Sequence, residues 1–325
     1  NDIDLVFSLP NVEDILKKLS LIYGENPLKI EHNGTGRNNL LFISLILSYI
    51  EDPNSAQSNF FRVVGIEEPE SHLHANLQNH LATNIESLIK LEGSNEYRKD
   101  IQLLLTSHSN HITTKIDFEN TVVLYQKDGV LETHYVLQGF SSKAEDTKRV
   151  KYLRKYLDSE NINLFYSRKI VLVEGISEKL LFPTFFEIDQ SETMDKMSTC
   201  IVNVNGLAFK NFLDLIKNGY HTKCLVLTDS DKDTKAEDRA ENLASEYATI
   251  DEISVCISSE STFEKDIILY NQNGLGKDIL IKALKTVRPI SGKAYADGIG
   301  ENDINIEDYF SLIENFKSDF AFQLS

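Results

Sequence analysis

Acidic side chains follow two apolar runs in the second half of the sequence. Glu174 and Glu178 come after "KIVLV", and Asp229 and Asp231 come after "KCLVLT". If both runs are parallel strands, their carboxyl ends meet at one edge of a sheet. Carboxylates packed that closely need a cation, and hard oxygen ligands favour Mg²⁺ or Mn²⁺. The spacing therefore predicts a divalent-metal site, whereas Asp233 fits a solvated turn equally well.

A second pair of acids follows a strand-like run in the first half. In "RVVGIEEPESHLH", Glu67 and Glu68 end the apolar run, and Pro69 closes it before a helix. A later run, "IQLLLTSHS", places His108 at the same edge of the sheet. Two adjacent carboxylates suit one task there: one holds the water shell of Mg²⁺ and the other polarises an attacking water. An isolated pair of acids would fit a solvated turn as well, but the histidine at the same edge favours a catalytic site.

The stretch "HNGTGRNNLLFISLIL" is a glycine-containing turn that leads into an apolar helix. Such a turn can point free N–H groups at phosphate, but the lysine of a nucleotide-binding P-loop is missing. Gly34 and Gly36 would allow close approach of the backbone, with the helix beginning near Arg37. The alternative is a plain helix start capped by Asn33 or Thr35. No G-x-x-x-x-G-K-[ST] pattern occurs in the sequence.

Strand-like and helix-like segments alternate along the chain. This alternation indicates an α/β fold with parallel sheets covered on both faces, and 325 residues suffice for two such units. The charged stretch at 141–160 has no strong apolar face, and we interpret it as the connection between the units. The predicted strands are residues 60–67, 101–107, 121–126, 169–175, 200–206, 223–229 and 253–258.

Composition excludes several classes of protein. With 41% hydrophobic and 26% charged residues, the chain is typical of a globular protein. Its longest apolar run is about 11 residues, shorter than the roughly 20 that span a bilayer, so we expect a cytoplasmic protein without a membrane partner. A net charge of −17 argues against nucleic-acid binding through overall charge, although it leaves room for local basic surface. The three cysteines lie far apart in strand-like runs, which predicts reduced core residues.

The motifs of the first half resemble those of ABC-type ATPases of the RecF, SMC and OLD kind. "VVGIEEPESHLH" is similar to their Walker B strand and D-loop, and "TSHS" is similar to their switch histidine. The resemblance implies that Glu67 holds the Mg²⁺ shell, Glu68 is the catalytic base and His108 senses the γ-phosphate of ATP. The turn at Gly34 and Gly36 resembles the ABC signature, which docks onto nucleotide bound by another protomer. We therefore expect an oligomer, and a chain that lacks the Walker A lobe.

The pattern of the second half resembles a Toprim domain. The matching features are a hydrophobic strand ending in E-G, a middle strand closed by glycine in "VNVNGLAF", and a later D-x-D. The E-G-x-S-E form and the acids of "STFEKDIIL" look most like the OLD family. The resemblance implies two metal ions whose ligands are Glu174, Glu178, Asp229 and Asp231, with Glu264 or Asp266 completing the second site. It also implies a lysine at the transition state, for which Lys293 is the first candidate and Lys265 the weaker one.

ATPase and Toprim motifs in this order identify the chain as a member of the OLD family. The resemblance implies the C-terminal lobe of an ABC-type ATPase over 1–140, a linker helix over 141–167 and a Toprim nuclease domain over 168–325. The implied function is a Mg²⁺- or Mn²⁺-dependent DNA endonuclease or nickase, regulated by ATP and acting in antiphage defence. The alternatives are an ATP-switched DNA-binding or assembly module that does not cleave, and an RNA-processing Toprim nuclease.

The family resemblance also implies partners. The substrate would be DNA, and the chain would form a homodimer or homotetramer through the ATPase unit. A helicase, or a reverse transcriptase with its non-coding RNA, would be a further partner. For DNA contact, basic residues lie on the helix "KRVKYLRKYL" and beside the first Toprim strand: Lys148, Arg149, Lys151, Arg154, Lys155, Arg168 and Lys169. The alternative is a solvated linker face balanced by nearby acids.

Overall fold

The computed structural model describes residues 22–23, 28–29, 34–51, 61–90, 96–157, 161–206, 208–220, 222–232, 234 and 236–325. Contacts within the chain divide it into two compact units, with the boundary between Ile116 and Asp117. Each unit has a hydrophobic core of its own. His32 and Asn33 of the glycine turn, and Asp233 of the acidic turn, lie outside the described residues.

Helices and strands alternate in the first unit. Its described elements are β1 (Ile22–Tyr23), β2 (Leu28–Lys29), α1 (Thr35–Glu51), β3 (Arg62–Glu67), α2 (Ala75–Leu88), β4 (Ile101–Thr106) and α3 (Asn110–Thr113). Strands β3 and β4 pair in parallel with Glu67 opposite Thr106, so both strands end at one edge. The core of this unit contains Ile43, Leu73, Leu81, Ile85 and Ile101.

The second unit opens with an antiparallel β-hairpin, β5 (Val122–Lys127) and β6 (Val130–Tyr135). Its turn has φ angles of 50° at Asp128 and 81° at Gly129, which is the geometry that favours Asp-Gly in a two-residue hairpin turn. The predicted strand at 121–126 is therefore present, but it pairs antiparallel rather than in a parallel sheet. The hairpin, grouped with residues 1–140 by the sequence motifs, packs with the second unit.

A parallel sheet of four strands lies at the centre of the second unit. The strands are β7 (Lys169–Val173), β8 (Thr199–Asn203), β9 (Lys223–Thr228) and β10 (Ile253–Ile257), in the order β10, β9, β7, β8. Alternate residues of β7 face different cores, as in a sheet covered on both sides. The flanking helices are α4 (Ala144–Tyr156), α5 (Ile176–Gln190), α6 (Phe209–Lys217) and α7 (Asp238–Tyr247). This arrangement confirms the predicted α/β fold class.

Helix α4, interpreted from the sequence as a connection, packs into the core of the second unit. Leu153 is buried there, and the rings of Tyr152 and Tyr156 stack 5.3 Å apart. Tyr156 also packs edge-on against Phe212 of α6, and its hydroxyl donates a 2.6 Å hydrogen bond to the Asn203 carbonyl. The few apolar residues that make these contacts are separated by charged residues, so the sequence showed no apolar face for this helix.

The last part of the second unit is helical. After β10 come α8 (Phe263–Tyr270), α9 (Gly274–Val287), α10 (Ser291–Ile299), α11 (Ile306–Ile313) and α12 (Lys317–Leu324). These helices enclose a separate core around Tyr309, whose hydroxyl donates a 2.6 Å hydrogen bond to the Leu280 carbonyl. Leu181 of α5 belongs to the same core and joins the helical layer to the sheet. The pattern of the sequence did not distinguish this layer from the rest of a Toprim domain.

The cysteines occupy different environments. Cys224 is buried, Cys200 is half-buried, and Cys256 is exposed on β10. The prediction of three core cysteines is therefore wrong for Cys256, because β10 is the outer strand of the sheet. Among the helices described here, none combines the length and the apolar character needed to cross a bilayer.

Candidate functional site

Two neighbouring strands of the second unit end in the predicted acids. Strands β7 and β9 pair in parallel; Glu174 directly follows β7 and Asp229 directly follows β9. Helix α5 starts after Gly175, which places Glu178 in its first turn and back at the same edge. A Cβ at Gly175 would lie 3.1 Å from Glu178 Oε2, so a larger residue here would have to displace the Glu178 carboxylate slightly. The structure therefore brings three of the predicted ligands to one edge of the sheet.

Glu174 is held by residues of β9 and α7. Its Oε1 accepts hydrogen bonds from the Thr228 hydroxyl and from the Asp229 backbone N–H, the latter at 3.1 Å. The Arg239 guanidinium lies 3.1 Å from the same oxygen and 2.6 Å from Asp231 Oδ2. Arg239 thus bridges two predicted ligands, and its cation balances their charge. No sequence motif pointed to this arginine.

Glu178 is buried and Asp229 is half-buried, and both acids have altered acidity. Burial, together with the negative charges of Glu174 and Glu264, raises the pKa of each to about 7. A 2.8 Å hydrogen bond from the Phe263 backbone N–H to Asp229 opposes this shift only in part. A divalent cation would relieve the repulsion among these carboxylates.

Glu264, in the first turn of α8, faces the same acids and pairs with a lysine. Lys317 Nζ lies 2.9 Å from Glu264 Oε2, and the Glu264 side chain is only 5% exposed. The positive charge of Lys317 also lowers the pKa of Glu178, so this lysine acts on the acidic cluster. Lys317 begins helix α12 near the end of the chain, and neither motif nor spacing identified it from the sequence.

Other predicted residues of this region have different surroundings. Both oxygens of Asp266 accept hydrogen bonds from backbone N–H groups of the loop after β10, at 2.8 and 2.7 Å. Lys265 Nζ lies 2.7 Å from Glu307 Oε1, and Lys293 is exposed on α10. Asp266 thus braces a loop and Lys265 joins α8 to α11. A metal role for Asp266 and a catalytic role for Lys293 stay predictions.

The donor set fits a hard divalent ion in composition and charge. Among the described residues, no three His, Cys, Asp or Glu side chains converge closely enough to hold one ion. Glu174 instead faces Arg239, and Glu264 faces Lys317. Carboxylate oxygens are nevertheless the ligands that Mg²⁺ and Mn²⁺ prefer, and two of these carboxylates, Glu178 and Asp229, lie among like charges.

In the first unit, the predicted ATPase residues lie where β3 and β4 end. Glu67 is the last residue of β3, and the backbone N–H of Glu68 donates a 3.0 Å hydrogen bond to the Thr106 carbonyl. Glu68 has a φ angle of 42°, which is uncommon for a residue other than glycine. His108 Nε2 lies 3.3 Å from Glu68 Oε1, and the two side chains are 81% and 54% exposed. The structure brings Glu68 and His108 together at an open edge.

Glu70, which the sequence motifs did not single out, braces this edge. Its Oε1 accepts hydrogen bonds from the Ser107 hydroxyl at 2.8 Å and from the His108 backbone N–H at 2.7 Å. Its Oε2 is buried without a hydrogen-bond partner among the described residues. Glu70 therefore ties the backbone of the predicted switch histidine to the loop after β3. The motif "EEPESH" contained this acid, but only the fold reveals its partners.

Gly34 and Gly36 have unequal structural roles. Helix α1 begins at Thr35, before the predicted start near Arg37, and the Gly34 carbonyl accepts hydrogen bonds from the first turn. A Cβ at Gly36 would lie 2.3 Å from the His72 carbonyl oxygen, whereas one at Gly34 would meet no atom within 4 Å. Packing of α1 against the loop after β3 therefore requires Gly36. A nucleotide role for either glycine stays a prediction.

The basic residues of α4 fall into two groups. Arg149 lies 2.7 Å from Asp214, and Arg154 lies 2.9 Å from Asp117, so both arginines are used within the second unit. Three further basic residues of this helix are exposed: Lys148, Lys151 and Lys155. The predicted DNA contact of α4 therefore rests mainly on lysines.

Two family models match the chain. An AAA ATPase domain matches residues 2–113, and the TOPRIM domain of overcoming lysogenization defect protein-like proteins matches residues 165–231. The chain carries an ATPase domain followed by an OLD-like Toprim domain. The resemblance deduced from the motifs is thereby confirmed. The OLD-like Toprim match contains Glu174, Glu178, Asp229 and Asp231.

Comparison over most of the chain agrees with these domains. The chain is 25% identical to the endonuclease GajA of Bacillus cereus (strain HuB5-5) over an alignment of 380 residues. The alignment covers 99% of this chain and 53% of that protein. It is 24% identical to the Old nuclease of Escherichia phage P2, covering 70% of this chain and 39% of that protein. The chain is homologous to both and spans about half the length of these relatives, or less.

Solved structures of OLD proteins also align with part of the chain. The C-terminal region of the Burkholderia pseudomallei OLD protein aligns with a TM-score of 0.38 at 22% identity, covering 49% of this chain and 86% of that structure. The corresponding region from Xanthomonas campestris pv. campestris aligns with a TM-score of 0.36 at 23% identity, covering 50% and 84%.

Proposed function

We propose that this chain is a metal-dependent DNA endonuclease or nickase of the OLD family. The observation that carries the proposal is the pair of acids with raised pKa values, buried Glu178 and half-buried Asp229, at the carboxyl edge of the Toprim sheet. Buried carboxylates that repel one another are costly for the fold, and they are characteristic of metal and catalytic sites. Homology to two nucleases supports the same activity.

The proposed ligands are Glu174, Glu178, Asp229 and Asp231, with Glu264 at a second position. Bound Mg²⁺ or Mn²⁺ ions would supply activation of a water and stabilisation of the leaving 3′-oxygen of a phosphodiester. Glu178 and Asp229 bind cations only as carboxylates, and with pKa values of about 7 they must release protons on binding. The Phe263 N–H orients Asp229 at 2.8 Å, which limits how far this carboxylate can turn.

Lys317 is the lysine that we assign to the substrate phosphate. It is the ammonium group placed against Glu264, and its side chain is 34% exposed, so it can reach a bound strand. A cation at this point would stabilise negative charge that develops on the phosphate. Lys293, preferred from the sequence, is exposed on α10.

The first unit supports regulation by ATP. Glu68 and His108 form one open edge, and Glu67 ends the strand beside them. In this proposal Gly34 and Gly36 dock onto nucleotide bound by a neighbouring protomer, so the chain acts as a homodimer or homotetramer. ATP state would then control cleavage in antiphage defence, with a helicase or a reverse transcriptase as partner.

The test is nicking of supercoiled plasmid in Mg²⁺ or Mn²⁺ by the wild-type chain, Glu178→Gln and Glu187→Gln. Glu187 lies on the same helix as Glu178 but is exposed, so its substitution is a matched control. We expect wild type and Glu187→Gln to nick at equal rates, Glu178→Gln to lose activity, and EDTA to abolish nicking. Equal nicking by Glu178→Gln would contradict the proposal.

The same assay separates the other functions. Absence of nicking by the wild-type chain would favour an ATP-switched DNA-binding module that does not cleave. Faster cleavage of a structured RNA than of DNA would favour an RNA-processing nuclease. These outcomes differ in substrate and not only in rate, so each one selects a single function.

A further inference from the structure

An open cavity of about 300 Å³ lies directly beside the acidic edge of the second unit. Three acids, Glu178, Asp229 and Asp266, line it together with a few polar residues, and most of the remaining wall is apolar or aromatic. This volume and this mixture of a mostly apolar wall with a few polar groups are typical of small-molecule or cofactor sites. The cavity therefore adds a mostly apolar surface next to the acidic edge.

Three aromatic rings contribute to the cavity. The rings of Phe185 from α5 and Phe263 from α8 are 6.5 Å apart and inclined by 56°. Tyr270, at the end of α8, is 73% exposed, and Phe185 is 42% exposed. Large aromatic side chains gain most from burial, so two such rings open to solvent beside a polar edge indicate a surface that becomes covered.

The sheet supplies the floor of the cavity. Leu227 of β9 and Cys256 of β10 are directly opposite one another in the parallel register, and both line the cavity. Cys256 is exposed, and it lies on the outer strand of the sheet. This part of the wall is thus mostly apolar, and it runs from the outer strand to Asp229.

We propose that this cavity holds an unpaired nucleobase of the nucleotide next to the cleaved phosphate. The inference rests on the proposed nuclease function, in which the phosphate lies at Glu178 and Asp229. In a nucleic acid, the flat and weakly polar group attached through a sugar to a phosphate is the base. Aromatic side chains bind bases by stacking, and this binding tolerates any base because every base has a π-face.

The proposal defines a substrate preference. A base inside a duplex is covered by its neighbours on both faces, so it enters such a cavity only after unstacking. Single strands, frayed ends and gaps should therefore be cleaved in preference to intact duplex. Among the described residues that line the cavity there is no Lys or Arg to bind a phosphate, which argues that the base and not the backbone enters it.

The first experiment removes one base at a time. Single-stranded oligonucleotides carry one abasic site at successive positions around the mapped cleavage site, and kcat/KM is measured in Mg²⁺. We expect one position at which base removal lowers kcat/KM of the wild-type chain about tenfold. Tyr270→Ala should show a similar loss on the intact strand and little further loss at that position. Tyr135→Ala, an exposed tyrosine on the β-hairpin outside the cavity, is the matched control and should behave as wild type.

The second experiment needs no cleavage. Cys256 lines the cavity and is exposed, whereas burial raises the pKa of the Cys200 and Cys224 thiols, so a thiol reagent should modify Cys256 first. In Ca²⁺, an intact oligonucleotide should slow alkylation of Cys256 several-fold, measured by mass spectrometry. The oligonucleotide with the abasic site at the sensitive position should not protect this thiol.

The outcomes separate the two proposals. Cleavage with equal kcat/KM on every abasic strand, or equal rates for Tyr270→Ala and Tyr135→Ala, would overturn the base-binding cavity and leave the nuclease proposal intact. A wild-type chain that cleaves no strand would overturn the nuclease proposal. In that case the base-binding proposal is tested by the alkylation rates of Cys256 alone. An unchanged rate in the presence of the intact strand would overturn the proposal, and a slower rate would support it.

Discussion

The two units share a local pattern, a parallel strand that ends in acids, in opposite surroundings. In the first unit, the side chains of Glu68 and His108 are 54% and 81% exposed. In the second, Glu178 is 6% exposed and its pKa rises to about 7. Burial of Glu178 is the main cause of its raised pKa, and Glu264 of α8 adds a negative charge nearby. A short acidic motif thus determines which ligands are available, while the elements packed over it determine their acidity.

The largest effect should follow from removing an acid of the buried edge. In Asp229→Asn the proposed metal loses a carboxylate ligand, and nicking in Mg²⁺ should fall by about 100-fold or more, beyond the effect of residues that only orient ligands. Asp251→Asn, in an exposed turn before β10, is the matched control. Initial nicking rates of supercoiled plasmid measure both. Similar rates for the two variants would show that the buried edge is not the active one.

The buried edge should also make the stability of the metal-free protein depend on pH. The ordinary pKa values of Glu178 and Asp229 are 4.5 and 3.8, and folding raises both to about 7. The folded chain therefore keeps protons that the unfolded chain has lost. This stabilisation is complete below about pH 4 and disappears as the pH rises to about 7, with a slope of at most about 1.4 kcal/mol per pH unit for each group.

Urea unfolding in EDTA at a series of pH values measures this dependence. The free energy of unfolding of Glu178→Gln should decline less steeply with pH than that of wild type between about pH 5 and pH 7, because one titrating group is gone. Glu68→Gln, at the open edge of the first unit, should keep the wild-type slope. If the free energy of unfolding of Glu178→Gln depended on pH as steeply as that of wild type, the raised pKa of Glu178 would be contradicted.

Lys317→Met should have a smaller effect than the preceding changes, and it should lower the stability of the fold. The substitution leaves the Glu264 carboxylate, 5% exposed, without its ammonium partner. The free energy of unfolding should fall by about 3 kcal/mol, at the low end for a broken buried pair, because the Lys317 side chain is partly exposed. Urea unfolding at neutral pH measures the loss, and Lys317→Arg should restore most of it. A methionine variant as stable as wild type would show that solvent already screens this pair.

The smallest of these effects concerns the open edge. Gly36→Ala places a Cβ 2.3 Å from the His72 carbonyl oxygen, whereas Gly34→Ala places one in free space. We expect Gly36→Ala to destabilise the first unit by about 2 kcal/mol, a typical cost of overpacking. Gly34→Ala, the matched control, should change stability by about 0.5 kcal/mol or less. Hydrogen exchange of α1 and of the loop after β3 measures both, and equal exchange rates would contradict the packing role of Gly36.

Much of each site could be predicted from the sequence because it depends on strand ends. The apolar runs before Glu174 and Asp229 predict buried parallel strands, and parallel strands bring their ends to one edge. The same reasoning placed Glu68 near His108. The glycine turn was more ambiguous, since one glycine pattern serves phosphate binding, helix starts and close packing equally well.

Contacts between distant segments could not be predicted in this way. Arg239 and Lys317 reach the acids from helices that carry no motif, and Glu70 meets its partners only after β3 and β4 pair. Periodicity reports which face of an element is buried, not which side chain reaches across from another element. The β-hairpin is a different case, because Asp128-Gly129 between two strand-like runs is a recognisable turn.

Helix α4 and the hairpin have a consequence for how this protein can be divided. The Tyr156 hydroxyl is bonded to the last residue of β8, and Leu153 and Phe118 lie in the same core as the sheet. A recombinant fragment beginning at residue 168 would lose these contacts and leave part of the core on one face of the sheet exposed. A fragment beginning at Asp117 would keep them. Gene fusions that exchange the ATPase part should therefore be tolerated upstream of Asp117, well before the first Toprim motif.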